Sequence, residues 1–378
     1  MGIRLKIVLL LALFFLFWNL ALAQQEEPFE AGHVPAEEFY KAEVLEVLEN
    51  RADTLPDGTV YRTQSYRLKV LEGPETDKEL EIQDKGLTTL NGGRGLSKGE
   101  KVVVFKVSSE ALTEYYIADT YRLPSIIWIV LFFFLVAIAF ARWKGVSSIL
   151  GLGVTVIVIA KFAVPQIING KNPVLISLIS ALIIALISIY LSHGFSKRTS
   201  IALVSTLITL GLASILSFIF VSFGKLFGLG SEQAFYLQTG PLQNLNLQGL
   251  LLGGIILGAL GVLDDITTSQ SAAVEEIQRA NQSLPFKELY RRGTSVGREH
   301  IASLVNTLFL AYAGASLPLF LFFQASNPQP FWVTLNAEFI SEEIIRTLVG
   351  SIALILAVPI TTLLASYFFA IKPRKELA

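Results

Sequence analysis

The chain reads as an α-helical integral membrane protein of about seven transmembrane helices that carries a small N-terminal exported all-β domain, an OB-like barrel. Three observations predict this. Of 378 residues, 52% are hydrophobic and only 16% charged, and the mean hydropathy is +0.57, outside the range of soluble domains. From Pro124 onward the apolar residues fall into successive runs, each long enough to cross about 30 Å of hydrocarbon. Residues 24–123 break instead into short alternating segments, and they hold twenty acidic against twelve basic side chains; residues 124–378 hold sixteen basic against eleven acidic.

Three domains follow in order. Residues 1–23 combine Arg4 and Lys6, an apolar run from Ile7 to Trp18, and Ala21-Leu22-Ala23 before an abrupt polar change, the layout of a signal peptide with an A-x-A cleavage site. An uncleaved anchor is the alternative, and either exports what comes next. Within residues 24–123, strands are expected at 42–48, 61–71, 79–82, 101–107 and 115–121, separated by the turn signals LPDG, EGPETD and NGGRGLSKGE. Five strands in so short a stretch suit a small barrel. Its negative charge, with no stacked basic and aromatic face, argues against nucleic acid as a partner.

The spans are expected at 124–141, 146–164, 172–192, 200–223, from Gly249 onward, at 301–323 and at 341–371. Pro124 and Pro173 suit a first helical turn, and Ser341-Glu342-Glu343 suits a helix start, where a capping hydroxyl and carboxylates meet the positive helix end. Alternate connecting segments hold twelve basic residues, from Arg142 and Lys144 to Lys372, Arg374 and Lys375, whereas the others hold only Lys171 and Lys225. By the positive-inside rule the β domain is expected outside the membrane and the C-terminus inside. The segment 224–246 is read as an outer loop, with a re-entrant path as the alternative.

Zero cysteines exclude disulfides, thiolate zinc sites, iron–sulfur clusters and cysteine catalysis. The sequence contains no phosphate-cradling GxxxxGK[ST] and no HExxH, and neither a catalytic residue nor a cofactor is expected. The chemistry-bearing stretch is 249–277, a glycine-rich apolar run ending in two adjacent carboxylates. On one helix Gly254, Gly258, Gly261, Asp265, Thr268 and Ala272 form a stripe without bulk, and such stripes let membrane helices approach closely. Ser303, Thr307, Ala311 and Ala315 form a second stripe in the next apolar helix, so the two are expected to pack as a pair. That pairing would aim Asp265 at its neighbour, with Asp264 about 100° away. Gln270, Arg298, His300, Asn306 and Tyr312 complete the expected polar cluster. One histidine without fixed ligand spacing predicts no metal site.

The runs GVLDDITTSQSAAVEEI (261–277) and GREHIASLVNTLFLAYAGASLPL (297–319) resemble the YibE/F-like family of bacterial membrane proteins, and the likeness extends over most of the chain after residue 40. It implies a multi-spanning membrane protein and brings no activity with it. Two readings remain open. In a permease or channel, the carboxylate cluster binds a small solute, a proton or a cation, because ionisable groups held near apolar depth are costly and often functional. In a scaffold, the exported domain and the basic inner loop recruit other proteins, the carboxylates only cap or pair with Arg298, and the partners are the lipid bilayer together with a second copy or other membrane proteins.

Overall fold

The computed structural model describes residues 38–54, 60–84, 95–108, 113–240, 242–326 and 330–370. The expected signal peptide lies outside the described residues, as do the C-terminal basic residues used in the charge argument. Described residues up to Val136 form one compact unit and those from Ala137 onward another.

The first unit is an all-β half-barrel of five antiparallel strands: β1 (Glu38–Thr54), β2 (Val60–Val70), β3 (Glu79–Asp84), β4 (Lys101–Ser108) and β5 (Thr113–Thr120), in the spatial order β3-β2-β1-β4-β5. All five expected strands are present. Alternation creates the core. Tyr40, Ala42 and Val44 of β1, Tyr66, Leu68 and Val70 of β2, and Val102 and Val104 of β4 are buried every second residue, with Ala42 opposite both Val70 and Val102. The buried Tyr66 hydroxyl donates to Gln64 Oε1 at 2.5 Å and accepts from the Leu96 amide at 3.0 Å. Glu75, in the β2–β3 turn, accepts from Lys106 at 2.8 Å and from Tyr115 at 2.7 Å, tying that turn to β4 and β5.

The second unit is helical. It comprises the later part of α1 (Leu123–Val158), a π-turn at Ile159–Ala163, α2 (Val164–Ile168), α3 (Pro173–His193), α4 (Lys197–Phe223), α5 (Glu232–Thr239), α6 (Leu247–Ala280), α7 (Phe286–Ala315), α8 (Leu317–Ser326), α9 (Phe331–Asn336) and α10 (Glu338–Ala370). Among the described residues five helical stretches are long and apolar enough to cross a membrane: Leu123–Ile168, Pro173–His193, Lys197–Phe223, Leu247–Ala280 and Glu338–Ala370. The first is not one rod. Arg142 has φ 53 and ψ −127, and a Cβ on Gly145 would lie 2.4 Å from the Ala137 carbonyl oxygen. Eight residues of straight helix would separate those two positions by about 12 Å, so the chain doubles back at Arg142. The π-turn precedes Pro165, whose missing amide cannot bond the carbonyl one turn back.

Several boundaries differ from expectation. Asn172 does cap α3, accepting from Val174 at 2.9 Å, with Pro173 next. Helix α4 starts earlier than expected because Ser196 caps it through the Thr199 amide at 3.1 Å. The stretch expected at 301–323 is broken at Ser316, two residues before Pro318, into α7 and α8. The last long helix begins at Glu338, so Ser341 is not its cap; its hydroxyl donates to the Leu335 carbonyl at 3.0 Å.

Helix α6 is the hub, packed against α3, α4, α7 and α10. Ile255, Ile256, Leu263 and Ile266 are almost fully buried along it. Small hydroxyl residues on α4 bring the two backbones close: Ser205, Thr206 and Thr209 each donate to a carbonyl four residues back, and Thr206 also meets Thr267 of α6 at 2.7 Å.

Candidate functional site on helix α6

The expected glycine stripe does not form a seam with α7. Among the described residues nothing lies within 4 Å of a Cβ added at Gly254 or Gly261, and Gly258 meets only the Tyr312 hydroxyl at 3.3 Å. Ser303, Thr307 and Ala311 of α7 also point outward, and Thr307 bonds back to the Ser303 carbonyl at 3.0 Å. The reason lies in surface area. The opposite side of α6 is lined by leucine and isoleucine, which gain far more dispersion contact on packing than hydrogen-faced glycines do, so the bulky side turns inward.

Close approach occurs elsewhere. A Cβ on Gly253 would lie 2.3 Å from Ser177 Oγ of α3; one on Gly293 of α7 would lie 2.8 Å from both Val274 and Thr362; one on Gly297 would lie 2.3 Å from Val358. Gln270 sits where α6, α7 and α10 meet, fully buried, with its amide donating to the Gly293 carbonyl at 2.8 Å and to Thr362 Oγ1 at 2.7 Å. Its carbonyl oxygen has no conventional donor among the described residues and lies 3.0 Å from where Gly297 would carry a Cβ, the setting for a weak Cα–H···O contact. The pattern Gly293-x-x-x-Gly297 was readable as a packing motif, and it marks the contact that the stripe at Gly254 does not make.

Helices α6 and α7 run antiparallel and touch at two levels, Gln270 against Gly293 and Gly258 against Tyr312. Asp264 lies midway between those levels on α6. The carboxylate turned inward is Asp264 and not Asp265: Asp264 Oδ1 is buried and has no hydrogen-bond partner among the described residues, whereas Asp265 is exposed. Their backbone carbonyls are occupied, accepting from Thr268 at 2.8 Å and from Ser269 at 2.8 Å respectively, so Thr268 is bonded to its own helix and not to a polar cavity.

The rest of the expected cluster is dispersed. Arg298, His300 and Asn306 are exposed on α7, and Tyr312 is half-buried. Among the described residues no group of three His, Cys, Asp or Glu side chains is placed to hold a metal ion. The sequence reading also missed a second carboxylate pair: Glu338 accepts from the Phe227 and Leu229 amides at 2.6 and 3.2 Å, and the buried Glu342 accepts from the Gly230 amide at 2.9 Å. These tie the loop after α4 to the start of α10. A Cβ at Gly230 would lie 2.4 Å from the Glu342 carboxyl carbon, so a side chain there would displace that carboxylate. Sequence spacing of more than a hundred residues concealed the pairing.

The model of the YibE/F-like protein family matches residues 129–371, which covers the whole bundle from α3 to α10 and both polar features on α6. No curated protein and no solved structure matches the chain. With more than half of its length accounted for by that match, the chain belongs to the YibE/F-like family.

Proposed function

We propose that this protein is a seven-span permease or channel of the bacterial cytoplasmic membrane that moves a small solute or ion, with Asp264 carrying a proton or small cation. One observation carries the reading: the hub helix of an apolar bundle holds a carboxylate oxygen away from solvent with nothing among the described residues to bond it. Such a group is expensive to leave ionised and unpaired, and a proton or cation removes the expense. The seven spans are the two arms of α1 and α2 on either side of Arg142, then α3, α4, α6, α7 with α8, and α10. Asp264 follows Leu247 by about 26 Å of helix, which sets it just inside the far boundary of a layer about 30 Å thick. The twelve-to-two bias of basic residues makes that boundary the cytoplasmic one and leaves the N-terminal domain, as an OB-like barrel, outside.

The test is proton or cation flux in proteoliposomes across an imposed gradient, with the folded fraction measured in parallel. Asp264→Asn keeps size and removes charge, so it is expected to stay folded and lose flux, while Asp265→Asn retains it. Flux absent in the parent, or equal in parent and Asp264→Asn, sinks the transport reading. The scaffold is then the better account, and the outward small-residue face of α7 supports it, because such faces suit a second copy or another membrane protein.

A further inference from the structure

The first half of α7 carries a polar feature separate from the α6 site. Leu289, Gly293 and Gly297 turn inward, and Lys287, Arg291, Arg292 and Arg298 turn outward. Between them lies a depression of about 460 Å³ lined by Tyr290, Arg291, Arg292, Thr294, Ser295 and Arg298. Glu288 pairs with Arg291 at 2.8 Å and with Arg292 at 2.7 Å, so one carboxylate offsets two guanidiniums. Among the described residues Arg298 has no ion pair and the buried Thr294 Oγ1 has no hydrogen-bond partner. Guanidinium forks beside hydroxyl donors, with positive charge in excess, match the oxygens of a phosphate group.

The level of the depression identifies the source of that phosphate. Helix α7 continues unbroken from its basic half into the apolar run that begins at Ile301. Arg298 is therefore about 4.5 Å of helix rise from the apolar run and Arg291 about 15 Å. Headgroups occupy roughly 5–8 Å beyond the hydrocarbon on each side, so Arg298 stands at phosphate depth, with Ser295 and Thr294 at its outer edge and Arg291 and Arg292 beyond it. We propose that this depression binds the phosphate of an anionic phospholipid headgroup. The proposal rests on α7 crossing the membrane and is independent of transport.

The test uses the full-length protein in neutral detergent, its thermal midpoint followed while phosphatidylglycerol, phosphatidylcholine or inorganic phosphate is added. Phosphatidylglycerol is expected to raise the midpoint more than phosphatidylcholine does, and inorganic phosphate is expected to have no effect. Arg298→Gln is expected to raise the half-maximal phosphatidylglycerol concentration about fivefold, and Arg298→Gln with Arg291→Gln further. Lys171→Gln, at the opposite end of the bundle, is the control and is expected to leave it unchanged; a parallel measurement without lipid checks that each variant folds like the parent. Equal stabilisation by both lipids overturns the proposal, as does equal sensitivity of the Lys171 and Arg298 variants. Stabilisation by inorganic phosphate that vanishes in Arg298→Gln overturns the lipid source and makes the ligand a soluble phosphate. Flux measurements do not bear on any of these outcomes.

Discussion

Glycines in this bundle divide by what surrounds them, and that division sets their tolerance to substitution. At Gly297 an added methyl would lie 2.3 Å from Val358 Cγ1, a short side chain that cannot swing aside, and 3.0 Å from the buried Gln270 oxygen. Gly297→Ala is expected to cost about 1–3 kcal/mol, seen as a lower thermal midpoint in detergent. Gly261→Ala meets nothing within 4 Å among the described residues and removes a flexible residue from a helix interior, so it is expected to be neutral or to stabilise by up to about 1 kcal/mol. The same midpoint for both variants would contradict the packing described for α7. The carboxylates divide similarly. Adjacent in sequence, Asp264 and Asp265 differ because 100° of helix turns one toward the bundle and the other outward.

At the scale of elements, the half-barrel depends on a charged clasp. Glu75 accepts from Lys106, Lys78 and Tyr115, and these bonds, Lys106 foremost, hold its carboxyl at about 2, below the usual 4.5. A lowered folded-state pKa means that the stabilisation is fully present above about pH 4.5 and is lost as pH falls toward 2. Hydrogen exchange of the β4 and β5 amides in the full chain is expected to accelerate across that window. Glu75→Gln is expected to flatten the response and to cost about 1–2 kcal/mol at neutral pH, the worth of charge-assisted hydrogen bonds at a partly exposed site. A variant with the parent's pH profile would remove Glu75 from the account. In the helical unit the corresponding clasp is Glu338 and Glu342 on the loop after α4, where carboxylates meet backbone amides instead of side chains.

For the whole molecule, the proposed topology predicts labelling. The chain lacks cysteine, so single cysteines at Lys171 or Glu232 are expected to react with an impermeant reagent in intact cells, and one at Gln282 only after permeabilisation. The reverse pattern would invert the orientation. Antiparallel contacts already require α6 and α7 to return through the loop at 281–285, on the side opposite Pro173, which lies beside Gly253 near the start of α6.

Much of this architecture is local and therefore legible in a single chain. The apolar runs, the alternation of β1, β2 and β4, the Asn172-Pro173 start and the break near Arg142 each depend on period, caps and charge within a few residues, and the family was identifiable from two short runs. Which face of a helix turns inward is a different question. Small residues on α6 permit close approach, but a permissive stripe yields to the greater contact area of Leu263, Ile266 and their neighbours on the other side, and only the assembled bundle compares the two. The same comparison turned Asp264 inward in place of Asp265, left His300 and Asn306 outside, and set Gln270 among residues more than twenty positions away. The pairings of Glu338 and Glu342 with the loop at 227–230 arise from chain closure across more than a hundred residues, where no spacing rule operates. Sequence alone determined the class, the elements and their order; tertiary packing decided which carboxylate is buried, because helix orientation minimises the energy of all contacts together and not of any one stripe.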